Sequence, residues 1–312
     1  MRIAFFGTPA FAVPSLAALI RSPHEVVVVI TQPDRPRGRG QRVSSGPVKT
    51  LALEHGLPVL QPATLTRDPW ERTIAAYGAD LGVVAAYGKI LPDWLLALPP
   101  RGLINVHASL LPRYRGASPI HRAVMNGDPE TGVTIMRVVK ALDAGAMLAT
   151  VRVPIGSDDR TDAVERALAD AGAALLVETV DRLARGPVEE TPQDEAAATY
   201  APRLRKDEGL VDWSRPARAI HNQVRGLHPW PHAFTYGPSG RLIIHRTAVG
   251  AKAPEQTPGT IVSANPSIGL TVATGDGLLE ILELQAEGGR VLPARDFLVG
   301  HPLSTGTRLG SR

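Results

Sequence analysis

Short, continuously apolar runs alternate along the chain with longer stretches in which apolar positions recur every three or four residues. The runs are "RIAFF" (2–6), "VVVVI" (26–30), "LGVVAA" (81–86) and "LINV" (103–106). Such β-branched or unbroken apolar segments are what strands buried on both faces require. Between them, "AFAVPSLAALIR", "PVKTLALEHG" and "DPWERTIAAYG" have helical spacing, with Gly or Pro punctuation. Strand, helix, strand repeated in this way predicts an α/β domain with a doubly wound, mostly parallel sheet. "GVTIMRVV" and "AMLATVRV" flank the turn "KALDAGA" as a hairpin, which would make the sheet mixed.

Residues 161–186 form the plainest helical pattern. Val164, Leu168, Ala171, Leu175 and Leu183 fall on one stripe, Asp162 and Glu165 have capping-box spacing, and Gly186-Pro187 ends the run. The following "VEETPQDEAAATYAPRLRKDEG" is polar and lacks apolar periodicity, and reads as a linker over the surface. Beyond it come one helical stretch, "RPARAIHNQVRGL", and five short strands, "AFTY", "RLIIHR", "GTIV", "GLTVAT" and "LLEILEL". That series predicts a small β-barrel. The expected organisation is a domain over 1–187, a linker over 188–206 and a second domain over 207–312.

Composition narrows the chemistry. Among 312 residues there is no cysteine, which removes disulfides, thiolate metal sites and a Cys nucleophile and suits a cytoplasmic protein. Gly7, Pro9 and Pro14 interrupt the apolar N-terminus, so a signal peptide is not expected. No segment approaches the ~20 unbroken apolar residues of a membrane span, and a soluble protein is expected. The net charge of +4 is unevenly placed: residues 1–199 hold 21 basic and 21 acidic side chains, residues 200–312 hold 13 and 9. A basic C-terminal third suits either a polyanionic partner or a solvated surface.

The first strand-to-helix turn, "FFGTPAF", has one glycine where a dinucleotide fold needs G-x-G-x-x-G, and no P-loop occurs. Nine histidines include no H-E-x-x-H, so no metal site is expected. Asn105 and His107, two residues apart at the end of a predicted strand, should point to one side, at the carboxyl edge where open α/β sheets bind ligands. An amide can donate to a developing oxyanion and an imidazole can move a proton; a pair of surface turn residues is the plain alternative. Ser118 followed by Pro119 predicts a helix start, leaving 109–117 as a loop whose Arg113 and Arg115 either contact an anion or are solvated. In "TQPDRPRGRGQRVSSGPVK", Arg35, Arg37, Arg39, Arg42 and Lys49 lie in a Gly/Pro-rich stretch that should form no regular element, and such clustered cations suit phosphate contact.

Taken together, "INVHASLLPRYRGASPI", "FFGTPAFA", "TQPDRPRGRG", "VVAAYGKILP", "ETGVTIM", "LDAGAML" and "HPWPHAF" closely resemble the bacterial methionyl-tRNA formyltransferase family, nearly end to end. The resemblance implies a Rossmann-like formyltransferase domain followed by a small OB-like β-barrel domain. It implies 10-formyltetrahydrofolate as co-substrate, methionyl initiator tRNA as partner, no metal, no membrane association and a cytoplasmic monomer. Asn105, His107 and Asp143 match the family's catalytic triad; by its own context Asp143 reads only as a turn aspartate. Ser109, Leu110, Leu111 and Pro112 match the folate-contacting segment, with Tyr87, Gly88 and Ile90 of "AYGKILP" near that pocket. Arg39 matches an arginine that the family sets against the tRNA acceptor stem, and Arg35, Arg37 and Arg42 accompany it. Two departures stand out. The usual L-D-T-G-D-M is here "LDAGAM", so Ala144 and Ala146 replace a hydroxyl and a carboxylate, and Gln41-Arg42 stands where relatives often have two lysines. Two rival readings remain open: a formyltransferase acting on a small amine such as glycinamide ribonucleotide or an amino-sugar nucleotide, and a non-catalytic RNA-binding relative.

Overall fold

The computed structural model describes residues 1–37, 42–251 and 256–310. The chain begins with β1 (Arg2–Gly7), α1 (Val13–Arg21), β2 (Glu25–Ile30), β3 (Arg35–Arg37), β4 (Arg42–Ser44), α2 (Pro47–Glu54) and β5 (Val59–Leu60). It continues through α3 (Arg67–Ala75), β6 (Leu81–Ala85), α4 (Asp93–Leu96), β7 (Leu103–His107), β8 (Arg115–Gly116) and α5 (Pro119–Asn126). Next come β9 (Glu130–Arg137), β10 (Met147–Pro154), α6 (Thr161–Arg185) and β11 (Tyr200–Ala201). Contacts divide the chain into two compact units: Met1–Pro119, Thr131–Pro154 and Glu165–Ala201 make one, and Ile120–Glu130, Ile155–Val164 and everything from Pro202 make the other.

In the first unit seven strands form one sheet in the order β10-β9-β7-β6-β1-β2-β5. The five from β7 to β5 run parallel, and β9 joins β7 antiparallel, so the sheet is mixed as the hairpin pattern predicts. β1 and β2 each bury every residue but the first, and β6 buries all five, which is why these segments are apolar throughout rather than alternating. On β7 the alternation decides the site. Val106 lies under α6, close enough that a Cβ on Gly172 would come within 3.1 Å of it. Asn105 and His107 therefore project from the opposite face. The buried stripe of α6 departs from the predicted one: it passes through Val164, Leu168, Leu176, Val180 and Leu183, with Ala171 and Leu175 only half-buried. Gly172 lies on this stripe, where a Cβ would come within 3.1 Å of Val106 and 3.2 Å of Val133.

Two further differences concern segments read as irregular. Within the basic stretch Arg35–Arg37 pairs antiparallel with Arg42–Ser44, β3 against β4, where no regular element is predicted. The segment read as a linker holds β11, paired parallel with β8.

The second unit adds α7 (Ala217–Gly226), β12 (Ala233–Gly237), β13 (Gly240–Val249), β14 (Ile261–Asn265), β15 (Gly269–Ala273), β16 (Leu278–Ala286), β17 (Leu292–Pro293) and α8 (Ala294–Gly300). Its sheet runs β12-β13-β16-β15-β14, with β17 on β16 and antiparallel pairs throughout. The C-terminal segment joins the two edges: the Tyr236 amide donates to Gly310 O at 2.9 Å, and the Ile261 amide donates to Thr307 O at 2.8 Å. That closure gives the predicted small barrel. Ile220 and Val224 of α7 and Phe297 of α8 are buried in its core with Leu270 and Ile281, each worth about 1.5–3 kcal/mol of burial.

Candidate active site

β7 is the seam of the sheet. Asn105 lies level with Val84 of parallel β6 and Met136 of antiparallel β9, and His107 with Thr134. Asn105 is half-buried and His107 is buried. The His107 Nε2 is 3.0 Å from the carbonyl oxygen of Tyr114. A carbonyl only accepts, so Nε2 carries a proton and donates it whatever the charge of the ring. The atom left to gain or lose a proton is Nδ1, and it faces Asp143 Oδ2 at 3.7 Å. That separation is longer than a hydrogen bond and leaves Nδ1 able to turn to a third group. Asp143 Oδ2 also accepts from the Gly116 amide at 2.8 Å. One carboxylate oxygen is thus approached by an imidazole nitrogen and a backbone N–H.

The loop after β7 is folded by its own polar groups. Ser109 Oγ donates to Arg113 O at 2.6 Å, Thr134 Oγ1 donates to Ser109 O at 2.8 Å, and the Leu111 amide donates to Thr134 Oγ1 at 3.2 Å. Leu111 is buried and Leu110 half-buried over Gly132, and the Leu111–Pro112 peptide is cis. Tyr114 and Asp143 both have left-handed backbone, φ 61° and 48°, at a cost of about 1–3 kcal/mol each. Thr199 offsets part of it by accepting the Tyr114 amide at 2.9 Å. Gly116 at φ 116° needs to be glycine, since a Cβ there would lie 2.9 Å from Ala201 O.

Tyr87, Gly88 and Ile90 leave the sheet at the same edge, just past β6. The Tyr87 ring turns inward against Phe6, its hydroxyl has no partner, and burial pushes the phenol up to about 12. What Tyr87 presents outward is its carbonyl, which accepts from Gln32 Nε2 at 2.8 Å. Gly88 lies over that same amide, and Ile90 is 94% exposed. The structure thus brings together Asn105, His107, Asp143 and the 109–112 loop, with the 87–90 segment on the same edge of the sheet. A cavity of about 230 Å³ lined by Gly78–Asp80 and Pro99–Pro100 lies instead at the amino ends of β6 and β7, away from these groups.

Three residues carry the site that the sequence pattern did not single out as such. Arg115, expected to meet an anion or solvent, is 2% exposed. It donates to both Glu195 oxygens at 2.8 and 2.9 Å and twice to Gln193 Oε1 at 2.8 and 3.0 Å. The Glu195 hydrogen bond raises the Arg115 pKa and Arg115 lowers that of Glu195, keeping both ionised. Gln193 in turn donates from Nε2 to Asp143 O and to Gly145 O, both at 2.8 Å. Gly145 sits so close to Arg137 that a Cβ would lie 1.9 Å from its carbonyl oxygen. The turn bearing Asp143 is therefore held by Gln193, by the Arg137 amide on Ala146 O and by close packing, with no polar side chain at Ala144 or Ala146.

Of the basic stretch, Arg39 lies outside the described residues, as do the side chains of Arg35, Arg37 and Arg42. Lys49 is on α2 and is paired with Asp34 and Gln61. Arg113 stacks 5.1 Å from the Tyr114 ring centroid.

Residues 1–180 match the family described as "Formyl transferase" and residues 203–302 match "Formyl transferase, C-terminal domain". The methionyl-tRNA formyltransferase of Citrifermentans bemidjiense is 49% identical over all of this chain and 97% of the relative. That of Methylobacillus flagellatus is also 49% identical, over all of both chains. Among solved structures, the N-formyltransferase of Helicobacter canadensis, in complex with folinic acid and dTDP-3-aminofucose, superposes with a TM-score of 0.65. It is 17% identical, over 89% of this chain and 98% of that one. HypX of Aquifex aeolicus in complex with tetrahydrofolic acid gives 0.62 at 17% identity over 96% of this chain, which spans only 47% of HypX.

Proposed function

The chain belongs to the formyl transferase family, and we propose that it transfers the formyl group of 10-formyltetrahydrofolate to the α-amino group of methionine esterified to initiator tRNA, for translation initiation. The observation that carries this reading is 49% identity, end to end, to methionyl-tRNA formyltransferases. No helix among the described residues is long and apolar enough to cross a membrane, and the proposed setting is a monomer in the cytoplasm.

In the proposed reaction the neutral amine attacks the formyl carbon, and negative charge grows on the formyl oxygen. Asn105 donates to that oxygen from its amide. His107 donates from Nδ1, the nitrogen its Tyr114 bond leaves uncommitted. As the intermediate collapses the C–N10 bond breaks, so the amine sheds a proton and N10 gains one; Asp143, 3.7 Å from Nδ1, stabilises the charged imidazole, takes the amine's proton through water and returns it by the same route to N10. The Ser109–Pro112 loop contacts the folate, with the Tyr87–Ile90 segment near the same pocket. The arginines of the β3–β4 ribbon and the basic C-terminal unit take the tRNA backbone, a role supported by the excess of 13 basic over 9 acidic residues after position 199.

The decisive experiment offers the enzyme 10-formyltetrahydrofolate with charged initiator tRNA, glycinamide ribonucleotide or an amino-sugar nucleotide. Formyl-methionyl-tRNA should form, with neither small amine modified. Preferential formylation of a small amine would overturn the acceptor assignment. Tight tRNA binding without consumption of the folate would overturn catalysis altogether.

A further inference from the structure

We propose that His228, His232 and His245, in the second unit, form a binding site for a divalent transition-metal cation of the Zn²⁺ class, separate from the formyl-transfer site. Each imidazole offers a ligand nitrogen, and the three nitrogens lie within 4.8 Å of one another. The fold brings them together in two steps. His228 and His232 bracket the Pro-Trp-Pro connection between α7 and β12, and the His232 amide is tied back to Leu227 O at 3.0 Å. The β12–β13 register, with Ala233 opposite Ile244, then sets His232 beside His245. His245 itself stands at the bulge where β13 slips against β16, a position that re-aims a side chain.

The outer contacts select the ligand atoms. His245 Nε2 is 3.0 Å from the Gln285 side-chain oxygen; that oxygen only accepts, so Nε2 carries the proton and Nδ1 keeps its lone pair. His228 makes no such hydrogen bond. Its Nε2 lies 3.7 Å from Asp162 Oδ1, while its Nδ1 is buried with no hydrogen-bond partner. An imidazole whose far nitrogen meets a carboxylate or carbonyl is the usual form of a metal-bound histidine. His232 makes ring contacts with both others, centroids 5.4 and 4.6 Å away, and holds a left-handed backbone at φ 68°, strain of the kind that gathers at functional positions.

Three imidazoles suit zinc, copper or nickel better than magnesium or calcium. A tetrahedral site with Zn–N bonds of about 2.0–2.1 Å needs nitrogens about 3.4 Å apart, so a bound ion would draw the three rings together from separations that now reach up to 4.8 Å. A fourth position would remain for water.

The test uses the whole chain, free of any affinity tag, stripped with chelator and titrated with Zn²⁺ by calorimetry, with metal content measured in parallel. One Zn²⁺ per chain is expected, together with a rise in Tm. His232→Gly removes one ligand at a position whose backbone favours glycine; it should fold, lose stoichiometric binding and lose the Zn²⁺-dependent rise in Tm. Gln285→Leu, which touches no metal, should weaken binding about 10–100-fold. Absence of stoichiometric binding by the parent chain, or equal binding by folded His232→Gly, would overturn the assignment.

Discussion

Replacing Gln193 by alanine tests whether the turn that carries Asp143 is positioned from outside. The side chain makes 2.8 Å hydrogen bonds to the Asp143 and Gly145 carbonyls and receives two N–H groups of buried Arg115. Arg115 keeps Glu195, so the substitution leaves no unpaired charge. The two carbonyl bonds and the two Arg115 bonds that are lost are worth about 1 kcal/mol each, giving a stability loss of about 2–4 kcal/mol. The effect on turnover should be larger in proportion. Asp143 sits in left-handed backbone, and once released it relaxes; a displacement near 1 Å at a reacting group costs roughly a hundredfold in rate. Gln193→Glu separates the two roles, because it retains an acceptor for Arg115 but aims oxygen at the Asp143 and Gly145 carbonyls. Both variants should lose roughly a hundredfold in kcat with KM for charged tRNA unchanged, read in a formylation assay alongside urea unfolding. A folded Gln193→Ala enzyme within about twofold of parental kcat would refute the positioning argument.

Gly145→Ala forces a Cβ to within 1.9 Å of Arg137 O, so it should destabilise by about 1–3 kcal/mol and depress kcat; parental Tm and rate together would show that the turn is free to shift. His121 is held neutral by burial, which pushes its imidazole down to about 4. The unfolded chain therefore binds the extra proton between about pH 6.5 and 4, and stability is full above that window and falls by up to about 3 kcal/mol across it. His121→Leu should flatten this part of the pH–stability curve in urea titrations, and an unaltered curve would count against it. If the ribbon arginines hold phosphates, raising salt from about 50 to 200 mM should raise KM for charged tRNA at least about tenfold and leave KM for the folate nearly constant. Joint substitution of Arg35, Arg37, Arg39 and Arg42 by alanine should remove much of that salt dependence.

The strands and helices that were legible share one property: their burial is decided locally. β1, β2 and β6 are buried on both faces and spell it in consecutive apolar residues, and Asn105 and His107 follow from strand alternation once the end of β7 is located. Arg115 was opaque because its partners lie 78 and 80 residues away in a segment whose composition is that of a solvated linker. Asp143 reads by its own context as a turn residue and is one; its approach to His107 appears only when β9 is placed beside β7. The β3–β4 and β8–β11 pairings are too short to leave a periodic signature. The three histidines share no sequence motif, because two come from a connection and the third from a strand paired beside it.

The central claim is that Asn105 and His107 hold the formyl oxygen as it becomes charged. The single-turnover rate of Asn105→Ala and of His107→Ala, with folate and charged initiator tRNA both saturating, reads it directly. Each variant should lose about a hundredfold, near 3 kcal/mol, with tRNA affinity unchanged, whereas near-parental turnover in either one would contradict the role given to that residue.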